Sequence, residues 1–148
     1  MSDKVLTDWS ELRALAHLSG QNTASLAALT THLGLSVATT DPTEAGANFT
    51  EPSTVNAYAR QPMTTPSNKW NAPVVGTPPA AAEITNSLAV TFPICTTADW
   101  GIVKYVGLFD AATAGNLIMW AQLDASRDIK IGDRLELPAT TGLKFTLD

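Results

Sequence analysis

The sequence predicts a mainly β fold, an antiparallel β-sandwich of jelly-roll-like type preceded by a short N-terminal helix. Three observations predict it. Short runs of alternating polarity recur through the second half, turn-forming residues separate them at short spacing, and helical periodicity is strongest in the first 20 residues. With 148 residues the chain has one domain's length, enough to bury a core without a metal or disulfide staple.

Residues 1–20 read as one helix. Asp8 is placed to cap it with Glu11 three residues on, Leu12, Leu15, Ala16 and Leu18 recur at helical spacing, and Ser19-Gly20 supplies a stop. A stripe this narrow on a helix this short must be held by packing, either on the domain's own sheet or as a docking arm on a neighbouring subunit. Residues 21–33, including Ser25-Leu26-Ala27-Ala28-Leu29, favour neither helix nor strand.

The β-sandwich domain is expected over residues 34–148. Leu35, Val37 and Thr39 share one face, and Asp41-Pro42 through Gly46 is turn chemistry. Tyr58–Thr64 is a candidate strand that Pro62 restricts to an edge, and residues 65–82, with four prolines and Trp70, read as an extended loop. Leu88–Phe92 and Ile102–Phe109 alternate as strands, with a turn at Asp110–Gly115. The run Asn116–Ala121 is apolar on both faces, as in a central strand covered on both sides. Arg134–Leu137 and Leu143–Leu147, joined by Pro138–Gly142, read as a terminal hairpin.

Composition narrows the function. Charged residues make up 16% of the chain against roughly 25% in a typical soluble domain, so part of the surface is expected to be covered by a partner, as in a homo-oligomer. The net charge is −5, and Lys104, Arg127, Lys130, Arg134 and Lys144 are scattered among acids, which argues against nucleic acid as a direct partner. No run approaches the roughly 18 apolar residues that span a bilayer, so no membrane insertion is expected. The opening Met1-Ser2-Asp3-Lys4 lacks the apolar core of a secretory signal, and a cytoplasm-like setting is the expectation.

Candidate chemistry is sparse. Cys95 in Thr91-Phe92-Pro93-Ile94-Cys95 reads as a small buried hydrophobe, since a nucleophile needs a base and the two histidines, His17 and His32, lie far back in the chain. No phosphate loop, HExxH or CxxC is present, so no cofactor and no metal are expected. Asp99, Asp110, Asp124, Asp128 and Asp133 fall at turns and strand ends, where Asp commonly bonds local backbone. Asn48-Phe49-Thr50 matches a glycosylation sequon, read as chance. No catalytic residues are assigned.

The stretch Thr97-Ala98-Asp99-Trp100-Gly101-Ile102-Val103-Lys104-Tyr105-Val106-Gly107-Leu108-Phe109-Asp110-Ala111-Ala112-Thr113-Ala114-Gly115-Asn116-Leu117 resembles a recurring segment, "ANWGxVTHxGIFDAATGGNLL", of small structural proteins of tailed-bacteriophage virions. The tail Gly142–Asp148 is similar to that family's "AGxLxxTLD", Thr39–Gly46 to "TxDPTxAG", and Tyr58-Ala59-Arg60 to "YAR". The resemblance runs from about residue 34 to the end, with segments in the same order. It departs at the opening helix, at Ala114 where the family pattern carries glycine, and in the loop over 65–82. In physical terms Trp100-Gly101 anchors a strand start, Asp110 bonds the amides of the following turn, and Gly115 takes a positive φ.

The resemblance implies a non-enzymatic virion component, either a small tail fibre or tail-associated protein or a capsid decoration protein. It would be assembled in the host bacterial cytoplasm and bind other virion proteins, tail or capsid subunits. Two other classes compete. A carbohydrate- or receptor-binding module would use Trp70, Trp100, Trp120 and Tyr58 as stacking surfaces, although Trp120 sits in an apolar run and reads as core, and an enzyme would need converging acids from the turns.

Overall fold

A computed structural model describes residues 6–20, 30–75 and 82–147. The ambiguous segment Ser25–Leu29 lies outside the described residues. The fold is mainly β and antiparallel with one short helix, as expected. In chain order the elements are α1 (Asp8–Leu18), β1 (His32–Ser36), a 3₁₀ turn (Thr54–Asn56), β2 (Gln61–Pro62), β3 (Val74–Val75), β4 (Ala82–Thr85), β5 (Val90–Thr91), β6 (Gly101–Phe109), β7 (Leu117–Ile129), β8 (Glu136–Leu137) and β9 (Lys144–Leu147).

The strands form a four-stranded sheet in the order β2-β1-β6-β7, a three-stranded sheet β3-β4-β9 and a two-stranded pair β5-β8. Side chains from all three meet in one core, as facing layers of a sandwich do. Leu33, Leu35, Val103 and Val106 come from the large sheet, Phe145 from the second and Val90 and Leu137 from the third. A smaller cluster of Tyr105, Phe109, Leu117 and Trp120, covered by Phe49 and Ala38, fills the other side of β6 and β7.

Alternation identified β6 nearly to the residue, and β2 is an edge strand two residues long, as its proline dictates. Several expectations need correction. Arg134–Leu137 and Leu143–Leu147 do not pair with each other: β8 pairs with β5, and β9 pairs with β4. Buried Asn86 parts them. Its Nδ2 donates to Pro138 O at 2.8 Å, and its Oδ1 accepts Leu143 N at 3.1 Å, so the two ends of the connection are held on one side chain between the sheets. The region 65–82 is more than a loop, since it holds β3 and leads into β4. From the expected strand Leu88–Phe92 only β5 remains.

The strand expected over Asn116–Ala121 begins at Leu117 and runs on to Ile129, covered on both faces only as far as Ala121, and it is an edge strand rather than a central one. That edge explains the helix. Unpaired carbonyls on β7 require donors. Thr7 Oγ1 donates to Leu117 O at 2.6 Å, Thr7 N to Ile118 O at 3.0 Å and Ser10 Oγ to Ile118 O at 2.7 Å. The N-cap is therefore Thr7, whose amide bonds Ser10 Oγ at 3.1 Å, and not Asp8 paired with Glu11. Ser19 and Gly20, the latter at φ 70°, end the helix as expected. Because α1 is fixed through its polar face, its leucines point outward: Leu12, Leu15 and Leu18 are 69%, 65% and 82% exposed.

Candidate functional site

The segments Thr39–Gly46, Tyr58–Arg60 and Thr97–Leu117 meet in space. Asp41 accepts the Tyr105 hydroxyl at 2.7 Å, and Glu44 O accepts the amide of Asp8 at 2.9 Å. At the centre stands Arg60, whose side chain is 8% exposed. Its Nε and Nη2 donate to the two carboxylate oxygens of Glu51 at 2.9 and 2.7 Å, a bidentate pair. Its Nη1 donates to Ala111 O at 2.9 Å and Ala114 O at 2.7 Å, and its guanidinium lies 3.4 Å above the Phe109 ring. Tyr58 Oη donates to Glu51 at 2.7 Å and accepts Leu35 N at 2.8 Å. Burial first, and then the Glu51 carboxylate, hold the Tyr58 phenol far above its ordinary range.

This cluster joins the first strand, the YAR segment and the β6–β7 turn. Gly34 on β1 makes room for it: a Cβ there would stand 2.9 Å from both Glu51 Oε1 and the Phe109 ring. The turn itself is closed by Asp110, whose carboxylate accepts Asn116 N and Asn116 Nδ2. Gly115 sits at φ 71°, as the sequence suggested, and Ala114 at φ 52°. A left-handed backbone favours glycine, which gives a physical reason for the glycine that the resembling segment carries there. The guanidinium, carboxylate and phenol bond one another and the backbone, so the arrangement works as a clasp.

The candidates for chemistry lie in separate places, except that Asp99, Asp128 and Asp133 gather about Lys130. Cys95 is buried, its thiol donating to Ala98 O at 3.1 Å. His17 is exposed on α1, and His32 lies half-buried on β1 opposite Pro62 and Phe109. Asp99 accepts Ile131 N at 2.9 Å, which, with Lys130 beside it, holds its carboxyl below the usual range. Lys130 bridges Asp99 and Asp128, and Asp133 accepts Lys130 N. These are the local backbone roles expected of turn aspartates. Among the described residues no group of three or more His, Cys, Asp or Glu is placed to hold a metal ion. A groove of about 520 Å³ between β7 and the β8–β9 connection carries Asp124 and Glu136, but Arg127 and Lys144 share its walls.

The proposed stacking aromatics turn inward. Trp100 is buried, its Nε1 donating to Asn56 O at 2.8 Å, and Tyr58 meets its ring edge-on at 5.5 Å. Trp120 is buried against Tyr105. Trp70 packs on Phe145 at 6.1 Å. What the surface offers instead is apolar: the α1 leucines, Val74 and Val75 on the edge strand β3, and Ile94 and Ile131 beside the Cys95 turn. The roles of Glu51 and Thr7 were missed by sequence reasoning. Glu51 had no signal of its own, although Tyr58-Ala59-Arg60 stood out as a segment.

A family model described as "Podophage GP4 fiber I protein gp80" matches residues 6–145. No curated protein matches the chain.

Proposed function

Since the chain belongs to the podophage GP4 fiber I protein gp80 family, a family of phage fibre structural proteins, we propose that it is a small tail fibre or tail-associated subunit acting by protein–protein assembly. The match over residues 6–145 carries this reading, and the word fibre favours the tail over capsid decoration. The site geometry agrees with it. Residues that resemble the family's segments are occupied in closing the domain, with Arg60 and Tyr58 bonded to Glu51 and Asp110 bonded to Asn116. The exposed apolar residues are the features left for neighbours. In this reading the subunit does no chemistry, repeats in several copies, and joins other virion proteins in the bacterial cytoplasm before release.

Protein mass spectrometry of purified particles, with phage lacking the gene as control, tests it. The expected result is the chain at a fixed copy number per particle and loss of a fibre structure without it. A chain absent from washed particles, with fibres intact in its absence, overturns the proposal.

A further inference from the structure

A cleft of about 480 Å³ opens between the start of α1 and the β6–β7 turn, within the ~300–1,000 Å³ range of small-molecule sites. Asp8 and Trp9 line it from α1, Asn116 from the end of the turn, and Phe49, Glu51 and Arg60 from the clasp side. We propose that this cleft is a binding site for a neutral saccharide.

The polar groups of the cleft call for a ligand that brings hydrogen-bond donors. The Asp8 carboxylate has no protein partner among the described residues. Asn116 Nδ2 donates to Asp110 at 2.9 Å and leaves its own Oδ1 open. Arg60 is the one cation among the described residues lining the cleft, and its guanidinium is bonded to Glu51 and to the carbonyls of Ala111 and Ala114. An anionic ligand therefore meets no free cation. A cationic one gains little, because Glu51 is already paired with Arg60 and Asp8 lies in the first turn of α1, where the helix N-terminus offsets its charge. Neutral hydroxyls are the donors that fit.

A sugar also presents apolar C–H faces, and the cleft has aromatic surface to meet them. The negative face of a ring attracts such hydrogens. Trp9 and Phe49 are both half-buried. A Cβ at Gly107 would stand 2.6 Å from the Phe49 ring, so this phenylalanine lies close on β6. Trp9 packs against the main core, with the Arg13 guanidinium 5.3 Å from its ring centre. Both rings are thus held before a ligand arrives, which lowers the ordering cost of binding. The groove of about 520 Å³ beside β7 has no aromatic lining and mixes charges of both signs.

Titration calorimetry and NMR of the full chain test the proposal, with lactose, maltose and N,N′-diacetylchitobiose as neutral probes and galacturonate and glucosamine as charged ones. At least one neutral probe binds with a Kd of about 1 mM, weakly because the cleft is open to water. The indole N–H signal of Trp9, assigned by its loss in Trp9→Phe, shifts on titration while those of buried Trp100 and Trp120 stay. Asp8→Ala and Phe49→Leu each weaken binding at least about tenfold. Asp8 is exposed, so its variant keeps the test valid if Phe49→Leu fails to fold, as circular dichroism will show. Four results overturn the proposal: no neutral probe binding below about 50 mM, a charged probe binding more tightly than every neutral one, a Trp9 signal that does not move, or binding unchanged in Asp8→Ala. The proposal does not depend on the fibre assignment, which particle composition tests separately.

Discussion

Arg60 places a guanidinium where water scarcely reaches, and it is tolerated because each of its bonded nitrogens has an acceptor. Arg60→Ala leaves Glu51 with only the Tyr58 hydroxyl as donor and no cation, takes the Arg60 donor from two carbonyls and removes the cover from Phe109. It should cost roughly 3 kcal/mol in urea unfolding, and Arg60→Lys should recover less than half, since lysine cannot fork. A loss under about 1 kcal/mol would show that the clasp contributes little. Ala114 carries the opposite sign. At φ 52°, Ala114→Gly relieves backbone strain larger than the entropy glycine adds, and stability should rise by about 0.5 kcal/mol. Tyr105 supplies a pH dependence. Burial, then the Asp41 carboxylate, pushes its phenol up to about 12 from 10.0. Below pH 10 both folded and unfolded phenols keep their protons and the contribution is complete. Between pH 10 and 12 the unfolded state ionises first, and that contribution is lost. Tyr105→Phe should flatten that alkaline fall without removing the share due to Tyr58, as urea midpoints across this range will show. Sequence reasoning found Asp110 and Gly115 because their partners are local. It left Arg60 without a role because Glu51 and the carbonyls of Ala111 and Ala114 come together only in the fold.

The pairing of strands rests on side chains outside them. Asn86 holds the exits of β8 and β9 in different sheets through bonds to Leu88 O, Pro138 O and Leu143 N. Asn86→Ala should destabilise by about 2–4 kcal/mol, as measured by thermal unfolding, because several backbone groups lose their partner at once in a dry site. A substitution costing only a few tenths would mean that the connection finds its course without it. Alternation identified β8 and β9 as strands but says nothing of the neighbour each takes, which is why a local hairpin was expected. The far half of β7 was illegible for a different reason. From Gln122 to Asp128 the sequence is mostly polar, as a loop would be, and pairing of Tyr105 with Gln122 and of Gly101–Val103 with Arg127–Ile129 keeps it extended. In α1 the apolar stripe was visible, whereas its outward direction follows from hydroxyls seeking the β7 edge.

For the whole molecule, the low charge predicted a partly covered surface, and among the described residues the leucines of α1 and the valines of β3 are large apolar side chains that stand exposed. The antiparallel fold class was legible because alternation and turn chemistry repeat over many short runs, each small error being outvoted by the rest. The proposal is of an assembly unit whose motif residues close its own fold and whose apolar exterior is left for other proteins. Electron cryo-microscopy of intact particles tests this most directly. The account predicts density for this domain in a tail fibre, with α1 and β3 buried against neighbouring subunits. Density in which both elements face solvent, or particles containing no copy of the domain, would contradict it.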